Sequence, residues 1–232
     1  MTERVVGLVT ARGGSKGIPH KNLIFLANKP LIAHTINAAI AALGKDFVWV
    51  SSDCQQILST GLSYGAQSIE RPAILATDEA TSDEVVLHAI KQLQLRDDDI
   101  IALLQPTSPL RTSVHLIEAL ELMKTYHHPV VSVKRLAGKY HHLMVLEDKK
   151  LSWAIRPELI KSRRQDAADF CEPNGAIYLF AVADFYKNNN NIPRAGATPY
   201  IMDEQSSIDI DTMNDLNLAE NALIASEGLC IW

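Results

Sequence analysis

The chain has 232 residues, 47% of them hydrophobic and 21% charged, and a formal net charge of −5. That length suits one soluble α/β domain with a small appendage, and the acidic balance argues against nucleic acid as a partner. With no bilayer-length apolar run and no charged segment leading into an apolar one at the start, a membrane anchor and a signal peptide are not expected.

In chain order, Val5–Val9 reads as a strand and feeds a polar loop, Thr10–Asn22, with three glycines (Gly13, Gly14, Gly17) and three cations (Arg12, Lys16, Lys21). Glycines let a backbone turn and bring its N–H groups near a ligand, while the cations oppose a polyanion, so the loop suits a nucleotide triphosphate. It is neither a Walker loop, since Lys16 precedes Gly17 and Ile18 follows, nor a G-x-G-x-x-G fingerprint. A polar surface turn is the plainer alternative for the loop taken by itself.

Ile32, Ile36, Ala39, Ile40 and Leu43 fall on one helical face. Phe47–Ser51 and Gln67–Ile69 read as strands. Val85, Val86, Ala89, Ile90 and Leu93 mark a helix that Thr81 or Ser82 would cap, with Glu84 completing a capping box. Ile100–Leu104 is wholly apolar, as a strand buried on both faces should be. Leu116, Ile117, Leu120 and Met123 give another helix, Val130–Val133 and Ala176–Phe180 further strands, and Leu216, Ala219 and Leu223 the last helix. Asp97–Asp99 and Asn188–Asn191 read as solvated turns. The alternation predicts a mostly parallel sheet with helices on both faces, a three-layer α/β fold.

The pattern breaks between Leu136 and Pro173. The expectation is an α/β core over 1–135 and 173–232, with an inserted subdomain at 136–172. Leu151, Trp153 and Ile155 suggest that this insert packs on a partner as a dimerisation arm. The adjacent pairs His127-His128 and His141-His142 do not share a helix face, so no metal role is expected of them. Cys54, Cys171 and Cys230 lack C-x-x-C spacing and read as reduced thiols of a cytoplasmic protein.

Parallel sheets collect ligands at the carboxyl ends of their strands. The loop at 10–22, Ser51-Ser52-Asp53 and Gln105–Arg111 all belong to that edge. Ser207-Ile208-Asp209-Ile210-Asp211 puts two carboxylates on one side of an extended segment, a fit for Mg²⁺ that also touches phosphate. A lone D-x-D is more often a surface pair or a helix cap. Beside a triphosphate loop the metal reading is the stronger one, and Asp211 can serve both roles.

These segments, with Asn174-Gly175-Ala176-Ile177-Tyr178, resemble the acylneuraminate cytidylyltransferases (CMP-sialic acid synthetases), in order and spacing from about Val5 to Glu220. The resemblance implies a nucleotidyltransferase fold that couples CTP to the anomeric hydroxyl of a nine-carbon 2-keto sugar acid and releases pyrophosphate. It implies that Arg12, Ser15, Lys16, Lys21 and Asn22 hold CTP, with Arg71, Ala80, Thr81 and Ser82 completing the nucleotide pocket. Lys21, Arg12 and Asp211 would carry the chemistry, and Asp209 and Asp211 would bind Mg²⁺. Gln105 and Tyr178 would face the sugar, Arg164 would reach it from the arm of a partner subunit, and the protein would be a homodimer.

Two departures lie on the sugar side. Ile192 and Pro193 stand where relatives carry two aromatic residues, and Leu143 and Met144 stand where some relatives have a lysine. They point to a modified acceptor such as legionaminic acid, with pseudaminic and 3-deoxy-octulosonic acids as near alternatives. A D-x-D glycosyltransferase and a non-catalytic CTP sensor are more distant ones. The basic Gly-rich loop argues against the first and the retained aspartates against the second.

Overall fold

The structure, a computed structural model, describes residues 4–15, 17–136, 143–148, 150–154 and 169–228. Its core is a seven-stranded sheet in the order β11-β7-β10-β6-β1-β4-β5. The strands are β1 (Val5–Thr10), β4 (Val48–Ser52), β5 (Gln67–Glu70), β6 (Ile100–Leu104), β7 (Val130–Arg135), β10 (Cys171–Ala181) and β11 (Thr198–Met202). All neighbours pair in parallel except β10, which runs antiparallel to both β6 and β7.

Alternation along each strand builds two cores. Val9, Ala102 and Leu104 face one layer with α1 (Leu31–Leu43), α2 (Gln55–Ser63) and α4 (Ser113–Tyr126). Leu8, Ile101 and Leu103 face the other, with α3 (Ser82–Gln92) and α5 (Val182–Lys187). Ile101 and Leu104 are shielded from both sides, as their apolar run requires.

A third, smaller cluster matters most for the site. Ile18 from the glycine-rich loop packs with Ile210, with Leu26 of the short hairpin β2 (Phe25–Leu26) and β3 (Lys29–Pro30), and with Leu216 and Ala219 of α6 (Met213–Gly228). It joins the beginning of the chain to its last helix.

The antiparallel strand carries a large irregularity. Pro173 lies opposite Val133 and Tyr178 opposite Val131, so five steps along β10 are matched by two along β7. The surplus residues leave the ladder, and Gly175 takes φ +76°, a conformation that L side chains rarely adopt. Asn174 turns inward. Its Nδ2 donates to Ser207 Oγ at 2.9 Å, and its Oδ1 accepts from Ser132 Oγ at 2.6 Å. Ser132 Oγ in turn accepts the Ile177 N–H at 2.7 Å. One buried network thus ties β7, β10 and the segment leading to Asp209.

Two turns differ from expectation. Asp99 is not solvated: it is 2% exposed and receives the Arg96 backbone N–H at 2.9 Å and its guanidinium at 3.2 Å. Asp211 does not cap the last helix. Thr212 and Asp215 form a reciprocal box instead, with Thr212 N–H to Asp215 Oδ2 at 2.8 Å and Asp215 N–H to Thr212 Oγ1 at 3.3 Å.

Of the interrupted region, the described part is a two-stranded hairpin, β8 (Met144–Glu147) and β9 (Lys150–Trp153). Ile155, His141 and His142 lie outside the described residues. The ladder between β7 and β10 starts at Arg135 opposite Cys171, two residues before the expected boundary at Pro173. Cys54 and Cys171 are free thiols, and Cys230 lies outside the described residues. Among the described residues no helix is long and apolar enough to cross a membrane.

Ser132→Ala leaves Asn174 and the Ile177 N–H short of a partner in a buried setting. The expected loss of unfolding free energy is about 1–3 kcal/mol, read from urea midpoints.

Candidate active site

The glycine-rich loop leaves β1 at the carboxyl edge of the sheet and crosses in front of the segment 207–211. The approach is close: a Cβ on Gly17 would lie 2.5 Å from the Asp211 carbonyl oxygen. On the other flank, a Cβ on Gly13 would lie 2.9 Å from Cys54 Cβ. The demand for glycine at these two places is therefore close packing. Asn22 Nδ2 donates to the Arg12 carbonyl at 2.9 Å and pins the loop from inside.

A cavity of about 360 Å³ opens between the loop and the D-x-D segment. Arg12, Ser15, Lys21 and Asn22 line one side, Gln105 and Thr107 the floor, and Asp209 and Asp211 the far side. Ile210 between the aspartates is fully buried, and its N–H donates to the Thr107 carbonyl at 2.8 Å. That alternation turns both carboxylates to the cavity. The Lys21 ammonium donates to the Ile210 carbonyl at 2.7 Å and to Asp211 Oδ1 at 2.9 Å.

Asp209 opens on solvent, yet its surroundings strip enough water to raise its carboxyl above the usual aspartate range. Desolvation is the largest cause. The Thr107 hydrogen bond opposes it, and the charge of Asp211 adds to it. Two carboxylates on one wall of a phosphate-sized cavity form a hard oxygen pair that fits Mg²⁺, with the remaining positions left for phosphate and water.

A second cavity of about 280 Å³ shares Thr10 and Arg12 with the first and adds Arg71, Ala80, Thr81 and Ser82. Thr81 caps α3 through the expected box with Glu84. Arg12 is held here by the Thr77 carbonyl at 2.8 Å and by Asp78 at 2.8 Å. Arg71 is 6% exposed, and its Nε and Nη2 have no hydrogen-bond partner. Burial lowers its pKa, Asp53 opposes that shift, and the nearby Arg12 adds to it.

Lys16 and Arg164 lie outside the described residues. Tyr178 is buried in the second core cluster beside Ile192, and the Arg194 guanidinium stands 5.6 Å above its ring. Of the three expected sugar-side residues, Arg164 lies outside the described residues, and Gln105 but not Tyr178 lines the cavity. The motif reading gave Arg111 no role, and the structure supplies one. It is wholly buried and donates to the Ala176 carbonyl at 2.8 Å and the Gln105 carbonyl at 3.3 Å, so it holds the Gln105 turn against the β10 irregularity. Burial pushes its pKa down to about 9. Asp53, which accepts the Gly13 N–H at 2.9 Å, was visible only as part of a rim segment.

An open α/β sheet with a basic loop and two aspartates at one carboxyl-edge cavity defines a nucleotidyltransferase-type enzyme. Residues 6–216 match the protein family described as Cytidylyltransferase, and the chain belongs to that family. It is 37% identical to the N-acylneuraminate cytidylyltransferase of Escherichia coli over 94% of this chain and 52% of that protein. It is 33% identical to the CMP-N,N'-diacetyllegionaminic acid synthase of Legionella pneumophila over 95% of this chain and 96% of that protein. The chain thus spans about half the length of the first relative. The solved structure of a CMP:2-keto-3-deoxy-manno-octonic acid synthetase complexed with CTP superposes with a TM-score of 0.72 at 18% identity. It covers 97% of this chain and 100% of that one, and the likeness bears on the fold.

Gly17→Ala must displace either the loop or the backbone of Asp211. If the cavity holds a nucleoside triphosphate, as proposed below, its affinity for CTP is expected to fall on the order of a hundredfold, read by calorimetry. Unchanged affinity would show that the contact does not set the cavity.

Proposed function

We propose that this chain transfers CMP from CTP to the anomeric hydroxyl of a nine-carbon 2-keto sugar acid and releases pyrophosphate. The observation that carries this reading is one cavity joining Arg12, Lys21 and Asn22 to Asp209 and Asp211, next to a pocket where the Nε and Nη2 of buried Arg71 lack hydrogen-bond acceptors. The triphosphate lies along the loop, and the base enters the second cavity between Arg71 and the residues Ala80, Thr81 and Ser82.

The anomeric oxygen attacks the α-phosphorus in line. Its bond to phosphorus forms as the bond to the bridging oxygen of the pyrophosphate breaks, and the hydroxyl proton leaves to solvent. No protein nucleophile is needed, so positioning and charge opposition do the work. Arg12 and Lys21 oppose the charge that grows on the leaving phosphates, with Ser15 and Lys16 on the same loop. Each such contact is worth about 3 kcal/mol of barrier. Asp209 and Asp211 would hold Mg²⁺, which would supply positive charge beside the phosphates and a lowered pKa for a nearby hydroxyl. Gln105 orients the acceptor from the cavity floor, Tyr178 supports that side, and Arg164 reaches the acceptor from a partner subunit.

The acceptor is read as a modified nonulosonic acid. Ile192 and Pro193 are buried rather than presented as an aromatic acyl pocket, and the Legionella relative matched along nearly its whole length is named for a legionaminic acid. The insert at 136–172 is read as a dimerisation arm, because the hairpin exposes Leu146 at 70%, Leu151 at 63% and Trp153 at 46%. Sedimentation equilibrium tests this: Leu146→Asp with Leu151→Asp should yield monomers, and an unchanged dimer would rule the arm out.

The deciding experiment is CTP-dependent pyrophosphate release across legionaminic, N-acetylneuraminic, pseudaminic and 3-deoxy-octulosonic acids. Legionaminic acid is expected to lead, and a strong preference for N-acetylneuraminic acid would overturn the acceptor reading. Asp209→Ala should lower turnover on the order of a hundredfold to a thousandfold with a near-native melting midpoint. Because the Asp209 carboxyl titrates above an ordinary aspartate, the Mg²⁺ concentration needed should rise as pH falls through that raised value.

A further inference from the structure

We propose that Asp53 is a positioning residue that couples the phosphate loop to the guanidinium of Arg71, and thereby sets the preference for CTP over UTP. The proposal rests on the nucleotide placement above.

Asp53 stands just beyond β4, in the rim segment Ser51-Ser52-Asp53 that the proposed chemistry leaves without a role. Its Oδ1 accepts the Gly13 N–H at 2.9 Å, and the same oxygen lies 3.9 Å from Arg71 Nη2. The backbone brings these groups together. β4 pairs with β5 through Ser52 opposite Glu70, and the Arg71 N–H donates to the Ser52 carbonyl at 2.8 Å. The close contact of Gly13 with Cys54 leaves the loop little freedom to drift from the carboxylate. Asn22 holds the neighbouring Arg12 carbonyl, so the loop is fixed by one side chain on each flank.

The Arg71 side chain is 5% exposed, and Asp53 is its ion-pair partner among the described residues. A buried guanidinium with unmade hydrogen bonds is costly unless a counter-charge lies near or a ligand brings acceptors. Cytosine presents two adjacent acceptors, O2 and N3. Uracil presents O2 beside an N3–H donor, which faces the Arg71 donors unfavourably. Selection of the base thus depends on where the guanidinium points. Asp53 bears on that, while its second contact sets the phosphate loop at a fixed distance from the base.

The two contacts can be separated by substitution. Asp53→Asn keeps a carbonyl oxygen for the Gly13 N–H and removes the charge, whereas Asp53→Ala removes both. The test is calorimetric binding of CTP and of UTP to the wild type, both variants, Arg71→Met and the double variant Asp53→Asn with Arg71→Met. The wild type is expected to prefer CTP. Asp53→Asn should weaken CTP binding about tenfold, the size of one lost charge-assisted contact, with UTP less affected, so that the CTP-to-UTP ratio contracts. Asp53→Ala should weaken both nucleotides further. In the double variant the ratio should equal that of Arg71→Met alone, the non-additivity expected of residues acting through one another.

Asp53→Asn with an unchanged ratio would overturn the proposal, even if both nucleotides bound more weakly, because that is the signature of a merely structural carboxylate. So would further contraction of the ratio in the double variant, or a wild type that binds CTP and UTP alike or binds neither. These measurements need no acceptor, so failure of every sugar acid would touch only the acceptor reading.

Discussion

The site depends on the Lys21 ammonium, which spans the Ile210 carbonyl and the Asp211 carboxylate. The contact joins segments 189 residues apart in sequence. Its own contribution to stability is small: Asp211 is 75% exposed at its side chain, and such pairs are worth about 0–1 kcal/mol. Burial of Ile18 and Ile210 in the third cluster supplies more, roughly 1.5–3 kcal/mol for each side chain. The division of labour is physical. Apolar packing brings the loop and the carboxylate segment together, and the ammonium sets their register. The absence of a side chain at Gly17 lets the two backbones approach closely enough for that ammonium to reach both acceptors.

The same geometry gives the cavity two kinds of cation. Arg12 is already held by Asp78 and the Thr77 carbonyl, and Lys21 by Asp211 and the Ile210 carbonyl. A triphosphate entering here exchanges one set of acceptors for another, so the net gain is moderated by what is given up. Arg71 differs: its Nε and Nη2 have no hydrogen-bond acceptor to surrender, and Asp53 stands 3.9 Å from Nη2. On the nucleotide placement proposed above, binding energy per contact should therefore be concentrated at the base and diluted at the phosphates, which all nucleoside triphosphates share.

Much of this was legible because it is local. Apolar runs such as Ile100–Leu104 announce buried strands, and Thr81 with Glu84 announces a capping box that the structure reproduces. What escaped was set by tertiary contact. β11 carries Pro199 at an edge of the sheet with Ile201 exposed, so its strand period is blurred. α2 holds Gly61 and several polar residues and buries only Ile57, Leu58 and Gly61, too narrow a stripe to stand out. Asp211 looked like a cap because it precedes a helix, but Thr212 and Asp215 satisfy those N–H groups and leave it free to face Lys21. The roles of Asp53 and Arg111 required knowing which strand ends are neighbours.

The region around Tyr178 is harder to read for a related reason. It is built from the β10 irregularity and the loop at 192–194, whose conformations are fixed by burial rather than by local pattern. Ile192 packs in the second core, and its N–H donates to Asp83 Oδ1 at 2.8 Å. Asp83 lies on α3, whose N-cap Thr81 lines the second cavity. The loop bearing Arg194, which covers Tyr178, is therefore tied to the same helix that borders that cavity. The loop is also held from its own side, by Ile192 in the second core and by the Asn190 N–H to the Phe185 carbonyl at 3.0 Å, so the Asp83 contact is one of several anchors. The link between that loop and α3 runs through a backbone N–H, which no reading of side-chain types along the chain can reveal.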